Sequence, residues 1–199
     1  MSATARRPGD RPAPVTVRRQ QLFDALVALF LAEGFARFTL DDLAVRLRCS
    51  KSTLYQLAGS KEQLSRAVAV HFFRGAAERV EARLVDVAQP GARVDAYLRA
   101  VASELAPASS AFFADLESFA PGREVYRRNT AIAAVRVGEL IADGVRTGEL
   151  RAVSADLVAD LVAAQMVRIQ QREVYAATGT EDAEAYAALA DLVVHGISS

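Results

Sequence analysis

The chain of 199 residues has a single cysteine, Cys49, so no intramolecular disulfide bond is available and no cysteine-based metal cluster is expected. Long apolar runs are also missing. Ala25 to Ala32 is among the longest, whereas a membrane-spanning helix needs roughly 20 apolar residues. The arginines near the N-terminus have no apolar segment with a cleavage site behind them, so no signal peptide is expected. These absences predict a cytoplasmic protein without membrane association.

Arrangements typical of enzymes are absent as well. The sequence contains no Ser/His/Asp or Cys/His set, no metal-ligand spacing and no phosphate-binding loop. Its two histidines, His71 and His195, have no ligand partners nearby in sequence, which favours ordinary core or surface positions for both. We therefore expect no catalytic activity, no metal ion and no cofactor.

What the chain does have is hydrophobic content and helical periodicity. Hydrophobic residues make up 52% of it, enough for a sizeable core, and no alternating strand pattern of useful length appears. Capping residues and Pro-Gly pairs divide the sequence into helices. The pattern predicts an all-α protein of about nine helices: 17–33, a short helix from about Leu40, 51–57, 61–87, 92–106, 109–119, 123–147, 154–177 and 182–197.

Charge is distributed unevenly, although it sums to zero. Residues 1–64 hold ten Lys or Arg and six Asp or Glu, a net charge of +4, and residues 65–199 carry −4. Both lysines of the chain, Lys51 and Lys61, fall in the basic part. A basic segment attached to an acidic remainder suits binding to a polyanion, although compositional scatter can also give a difference of this size.

Residues 39–64 carry the most informative pattern, which predicts two short helices, a tight turn between them and a third helix directly behind. The second helix opens with short polar and basic side chains, which fit the DNA major groove in a helix-turn-helix. Ser52, Thr53 and Gln56 would face the groove, with Lys51 near the phosphate backbone. Apolar residues with suitable spacing would pack the pair together: Leu43, Ala44, Leu47, Cys49 and Leu54.

The same stretch contains three predicted helix N-termini, which attract phosphate through their unpaired amides and the helix dipole. They are expected at Thr39, Ser50 and Ser60, and Ser60 with Gln63 is expected to form a capping box. Cys49, between the two motif helices, is expected to be a small buried residue rather than a redox switch.

Four segments of this region match a known family in order and spacing. They are Leu29-Phe30 with Glu33-Gly34-Phe35, Thr39-Leu40-Asp41-Asp42-Leu43-Ala44, Cys49-Ser50-Lys51-Ser52-Thr53-Leu54-Tyr55 and Ser60-Lys61-Glu62-Gln63-Leu64. Together they resemble the N-terminal domain of the TetR family of bacterial transcriptional regulators. The other three quarters of the chain agrees with the family only in being helical and of suitable length.

The resemblance implies a DNA-binding surface, with Thr39 capping the first motif helix and Lys61 anchoring phosphate at the start of the next long helix. Tyr55 would contact phosphate or hold the recognition helix in place. The whole implied set is Thr39, Arg48, Ser50, Lys51, Ser52, Thr53, Tyr55, Gln56 and Lys61.

The chain departs from the family pattern at Leu57 and Ala58, where the family has an aromatic phosphate contact and a bracing ring. Affinity for DNA is therefore expected to be lower, unless the N-terminal arm compensates in the minor groove. The arginines of that arm, which otherwise form only a solvated tail, are Arg6, Arg7 and Arg11.

The resemblance also implies a ligand cavity and a dimer interface in the rest of the chain. Most aromatic residues are expected in the core, and the candidates for lining the cavity are Phe73, Tyr97, Phe112, Phe113, Leu116, Glu117, Tyr126, Arg136 and Gln165. The last two helices resemble the family's dimerisation pair, unless their apolar stripes are buried within one monomer. The stripe residues are Leu157, Leu161, Val162, Met166, Tyr186, Leu189, Val193 and Ile197.

These patterns divide the chain into a flexible basic arm (1–15), a helix-turn-helix domain (16–64) and a helical ligand-binding and dimerisation domain (65–199). The expected function is that of a homodimeric repressor that a small-molecule effector releases from a palindromic operator in double-stranded DNA. The alternative is a ligand-binding or protein-interaction module with a weakened DNA-binding head. An enzyme is the third and least supported reading.

Overall fold

The computed structural model describes residues 14–197, with side chains from residue 17 onward. Over this range the chain is all-α, as predicted, and contains no strand. The helices are α1 (Pro14–Glu33), α2 (Leu40–Arg46), α3 (Lys51–Leu57), α4 (Lys61–Ala82), α5 (Pro90–Leu105), α6 (Ser110–Ser118), α7 (Ala120–Arg146), α8 (Ala155–Gln170), α9 (Glu173–Thr178) and α10 (Asp182–Ile197). Nearly all of the predicted basic arm lies outside the described residues.

Most helix boundaries lie within three residues of the predicted ones. The first helix begins at Pro14, since proline suits the first helical position, where its missing N–H costs no hydrogen bond. Gly34 ends this helix in the left-handed conformation, with φ +73°. The fourth helix ends at Ala82, five residues before the predicted end, and residues 83–86 continue as tight turns.

The prediction of one helix over 154–177 was wrong. The chain breaks at Arg172, whose φ of +61° is left-handed and cannot continue a right-handed helix. The Arg172 guanidinium lies 2.6 Å from Asp182 and 3.3 Å from Glu181, so contacts to the start of α10 hold the break in place. The described chain therefore has ten helices instead of about nine.

The chain has two parts, a head and a body. The head consists of α1, α2, α3 and the first turn of α4, which pack around the fully buried Leu26, Leu43, Leu54 and Leu64. The body consists of the rest of α4 together with α5 to α10. At its centre, α7 packs against α4, α5, α6 and α8, while α10 packs against α5 and α8. The long helix α4 therefore belongs to both parts, and buried side chains form one continuous cluster through them. None of the described helices is long and apolar enough to cross a membrane.

Candidate functional site

Side-chain caps fix the starts of the short helices in the head. The Thr39 hydroxyl accepts from the Asp42 amide at 3.2 Å, and the Asp42 carboxylate accepts from the Thr39 amide at 2.8 Å. These two bonds form a capping box, and they lower the pKa of Asp42. Ser50 caps α3 in the same way by accepting from the Thr53 amide at 3.1 Å.

The cap at the start of α4 differs from the predicted capping box. Ser60 accepts from the Gln63 amide at 3.2 Å, as predicted. The Gln63 side chain, however, accepts a hydrogen bond from the Gly59 amide at 3.0 Å instead of one from the Ser60 amide. Gln63 thus closes the turn before the helix, because the Gly59 amide lies within its reach.

Helix α3 has one buried face and one exposed face. Leu54 is fully buried, whereas the adjacent Tyr55 is 48% exposed. Ser52 and Gln56 are also exposed, and Thr53 is half-buried. The Ser50 hydroxyl lies 2.7 Å from the hydroxyls of both Ser52 and Thr53, so the polar groups at the start of α3 form one connected set. An anchored helix with a short polar outer face has the form needed to enter a DNA groove.

The residues around α3 add charge to this surface. Arg48 lies exposed in the turn before the helix, with a φ of +50°. Lys51 pairs with Asp41 at 2.8 Å, and this hydrogen bond raises the pKa of the lysine. Lys61 is half-buried and donates to the Ala36 carbonyl at 2.6 Å. An ammonium has three donors, so either lysine can serve a phosphate while keeping its present partner.

Three residues near the motif are half-buried and pack against the core: Cys49, Leu57 and Ala58. Cys49 is thus less buried than predicted, since it sits at the rim of the turn, and its partial burial raises the pKa of the thiol. Leu57 and Ala58 supply packing and no polar contact, so other groups must provide any phosphate contact at this end of α3.

Two arginines near this end of α3 were not among the predicted DNA-binding residues. Arg18 and Arg19, exposed on α1, line the same surface depression as Thr53, Gln56 and Leu57. The Arg19 guanidinium also lies 5.8 Å from the ring of Phe23. The sequence held a signal for them, since two adjacent arginines open the first predicted helix. The arm arginines, Arg6, Arg7 and Arg11, lie outside the described residues.

A side chain of the body holds the head at the turn between α1 and α2. Asp115 of α6 accepts hydrogen bonds from the amides of Phe35 and Ala36, the latter at 2.7 Å. A Cβ added at Gly34 would lie 2.6 Å from the Asp115 carboxylate, so only glycine fits this approach. Because Lys61 binds the Ala36 carbonyl, this turn connects the body, the head and the start of α4.

The body contains a largely apolar cavity of about 90 Å³ between α4, α5 and α7. Three of its predicted lining residues, Phe73, Tyr97 and Tyr126, are present. The polar residues of the lining, Glu104, Asn129 and Thr130, were not predicted. Two further lining residues, Met166 and Tyr186, were predicted to lie in the dimer interface instead.

The other predicted lining residues lie elsewhere. Phe112, Phe113 and Leu116 are buried in the core, where the ring of Phe112 contacts Phe35 and Phe72 and the ring of Phe113 contacts Tyr126. Arg136 forms ion pairs with Glu81 and Glu139, at 3.0 and 2.8 Å. Glu117 lines a separate groove between α7 and α8, and Gln165 is half-buried beside Arg168.

Comparison with known proteins identifies the head. Residues 22–68 match the family model described as bacterial regulatory proteins, tetR family. Residues 22–68 therefore form an N-terminal domain of the TetR family. This match covers the head and the first turns of α4, the part on which the sequence resemblance rests. No curated protein sequence is similar enough to this chain to count as a match.

Solved regulators share the fold of this protein over nearly its whole length. A TetR transcription regulator from Haloarcula marismortui is 17% identical, with a TM-score of 0.74, covering 92% of this chain and 100% of that one. A TetR/AcrR-family regulator from Thermobifida fusca is 24% identical, with a TM-score of 0.64 and coverages of 90% and 98%. A transcriptional regulator from Saccharomonospora viridis, solved in complex with choline, is 16% identical, with a TM-score of 0.71 and coverages of 92% and 99%.

The predicted dimer residues divide into groups that differ in exposure. Four are buried within the chain and face its own core: Val162, Met166, Tyr186 and Ile197. Leu189 and Val193 are half-buried. Leu157 and Leu161 remain exposed, and Leu192 of α10, which the prediction omitted, is 72% exposed. Four of the eight predicted residues face the core because part of the apolar spacing on α8 and α10 serves packing inside the monomer.

Below the cavity, α7 and α10 share a buried polar cluster. The hydroxyls of Tyr126 and Tyr186 lie 3.2 Å apart, and burial raises the pKa of both phenols, so both are neutral at pH 7. Asp182, also buried, binds Arg172, while its other oxygen has no hydrogen-bond partner among the described residues. Burial raises the pKa of Asp182 to about 6.

Proposed function

We propose that this protein is a homodimeric transcriptional repressor that leaves a palindromic operator when a small molecule fills the body cavity. The observation that carries the proposal is the course of α4. Lys61, at its start, lies in the head, whereas Phe73, Ala76 and Val80, further along, line the cavity. One rigid element therefore has one end at the candidate DNA surface and the other at the candidate ligand site.

The proposed mechanism is thermodynamic linkage through the spacing of two heads. In a dimer, the two recognition helices must lie about one DNA turn apart, roughly 34–36 Å, to contact both halves of a palindrome. A ligand that favours a different tilt of α4 weakens DNA binding, and DNA weakens ligand binding by the same coupling free energy. The solved relative from Saccharomonospora viridis, in complex with choline, supports the idea that this fold accepts small molecules.

The proposed DNA contacts follow from exposure and charge. Ser52 and Gln56 on α3 would contact base edges, with Thr53 closer to the helix start. Arg48, Lys51, Tyr55 and Lys61 would contact phosphate, together with the caps Thr39 and Ser50. Arg18 and Arg19 extend this surface and replace the phosphate contact that Leu57 and Ala58 cannot make.

The dimer interface would be formed by α8 and α10, which pack against each other. Their exposed leucines, Leu157, Leu161 and Leu192, supply the apolar surface. A two-fold symmetric contact places the same surface on both partners, which suits recognition of a palindrome.

A second function has one observation in its favour. Lys51 and Lys61, the lysines of the head, both have partners within the chain, Asp41 and the Ala36 carbonyl. A ligand-binding or protein-interaction module would keep these contacts permanently. Replacing both lysines by alanine would leave the activity of such a module unchanged, whereas it would weaken DNA binding by a repressor.

The direct test is selection of bound sequences from random DNA, followed by gel shifts at several salt concentrations. We expect a palindromic site whose affinity falls steeply with salt, because phosphate contacts release counterions. In cells, a reporter behind that site should be expressed more strongly when the regulator is deleted. If no sequence is enriched, or if deletion lowers expression, the repressor proposal fails.

A further inference from the structure

We propose that the body cavity binds a small organic cation, and that this cation takes Glu104 away from Arg79 and Arg83, which hold the end of α4. The inference rests on the proposed function, because it names the ligand class of the same cavity and the contact through which the ligand acts.

The walls of the cavity are suited to a cation. Phe73, Tyr97, Tyr126 and Tyr186 contribute four aromatic rings to its lining, and the rings of Phe73 and Tyr126 stack at 5.2 Å to form a continuous wall. Aromatic rings attract cations through their negative faces, most strongly when the site is shielded from water. The volume of about 90 Å³ suits a compact head group.

Charge in the cavity also favours a cation. Glu104 is the only acidic residue of the cavity lining, which includes no Lys, Arg or His. Burial raises the pKa of Tyr97 to about 12, and the phenols of Tyr126 and Tyr186 also stay protonated. An anionic ligand would therefore meet a carboxylate in the lining, because the arginines that pair with Glu104 are not part of that lining.

Glu104 is at present neutralised by two arginines of the α4 end. Arg79 lies 2.8 Å from one carboxylate oxygen and Arg83 lies 3.2 Å from the other. The Glu104 side chain is only 10% exposed, whereas both arginine side chains are about half exposed. Because about half of each arginine side chain already meets solvent, water can solvate the two guanidinium groups once they are released. The buried carboxylate, in contrast, needs a replacement partner.

A ligand cation that binds Glu104 supplies that partner. Arg79 lies in the last turn of α4 and Arg83 directly follows the helix, so their release removes two polar contacts between this end of α4 and α5. The N-terminal end of the same helix carries Lys61 and the head. The ion pairs of Glu104 therefore connect occupancy of the cavity to the position of the head.

Three probes of equal shape test the ligand class by calorimetry on the full chain: choline, its neutral carbon analogue 3,3-dimethylbutan-1-ol, and the anion 3,3-dimethylbutanoate. We expect choline to bind at least about tenfold more tightly than the alcohol, and the anion to bind least. Equal binding of choline and the alcohol, or tighter binding of the anion, would overturn the proposal.

Two variants test the role of Glu104. Glu104→Gln should reduce the preference for choline over the alcohol to less than about threefold, while Glu139→Gln, outside the cavity, should leave it unchanged. The double variant Arg79→Gln/Arg83→Gln should bind choline more tightly than the unmodified chain, because the competing partners are gone. Two results would show that Glu104 serves only to hold α4. One is weaker choline binding by the double variant, and the other is an undiminished preference for choline in Glu104→Gln.

Gel shifts with the selected operator separate the two proposals. Release of the operator by choline but not by the alcohol supports both. Operator binding without choline binding leaves the repressor proposal standing and removes the cation. Choline binding without any operator removes the repressor proposal and leaves the ligand class in place.

Discussion

The head and the body of this protein are stabilised by different means. The motif helices α2 and α3 have seven residues each, too short to be stable alone, and polar caps and a few buried leucines hold them. Body helices such as α5 and α7 have 16 and 27 residues and are held by long apolar faces. Local sequence therefore specifies the head, whereas packing between distant segments specifies the body.

We propose that the body forms the dimer and the head contacts the bases. The largest effect on operator affinity should therefore come from a variant that breaks the dimer and leaves α3 unchanged. The double variant Leu161→Glu/Leu192→Glu places charges on leucines that are 60% and 72% exposed. We expect a folded monomer, seen by analytical ultracentrifugation. Operator affinity should fall about 1000-fold, toward the non-specific level, because one head contacts only half of the palindrome.

Val85→Glu is the matched control, since Val85 is a highly exposed apolar residue outside α8 and α10. It should leave both dimer and affinity unchanged. A dimeric double variant would show that copies of the chain meet through another surface.

The next largest effect should come from the head core. Leu54→Ala removes a fully buried side chain of α3 and should lower the free energy of unfolding by about 3 kcal/mol. We expect hydrogen exchange to rise in α1 to α3 while α7 and α10 stay protected, since the head has fewer buried contacts. Tyr55→Ala, the neighbouring exposed residue, should weaken DNA binding and leave exchange unchanged. Equal loss of protection throughout the chain would contradict the proposed boundary near residue 64.

Sequence was informative where structure depends on neighbours in the chain. The caps at Thr39 and Ser50 were predictable because each bond joins residues three positions apart. The residues that line the cavity were harder to predict from the sequence. Phe112 and Tyr97 are both buried aromatics, and only the packing of α4 against α5 and α7 decides that Tyr97 lines the cavity. Glu104 resembled any surface glutamate, because its arginine partners lie more than 20 positions away.

The turn between α1 and α2 tests how firmly the body holds the head. Gly34→Ala should lower the free energy of unfolding by about 2 kcal/mol, because alanine is strained at a φ of +73° and its Cβ would meet the Asp115 carboxylate. Gly148→Ala is a close control, with a φ of +76° and nothing within 4 Å of the added Cβ. It should cost about 1 kcal/mol. Equal losses, measured by urea unfolding, would mean that the contact with Asp115 contributes nothing.

A smaller effect should depend on pH and be confined to the body. The pKa of Asp182 is raised from 3.8 to about 6 on folding, mainly by burial. Protonation of Asp182 therefore stabilises the folded state. This contribution to the free energy of unfolding is complete below about pH 3.8 and is lost as the pH rises through about 6. Between pH 7.5 and pH 5, the stability of the unmodified chain should rise relative to Asp182→Asn by about 1 kcal/mol. Glu184→Gln, an exposed change on the same helix, is the control, and a pH-independent difference for Asp182→Asn would refute the shift.

The smallest effect should come from the ion pair between Lys51 and Asp41, whose side chains are both largely exposed. Asp41→Asn should leave stability almost unchanged, since such pairs contribute less than about 1 kcal/mol. It should nevertheless tighten operator binding about threefold and make the salt dependence steeper, because Lys51 then neutralises a phosphate instead of Asp41. Asp86→Asn changes charge equally on the exposed body surface, outside α8 and α10, and should do neither. If Asp41→Asn also does neither, Lys51 already serves the phosphate in its paired state, and the ion pair positions the lysine without restraining it.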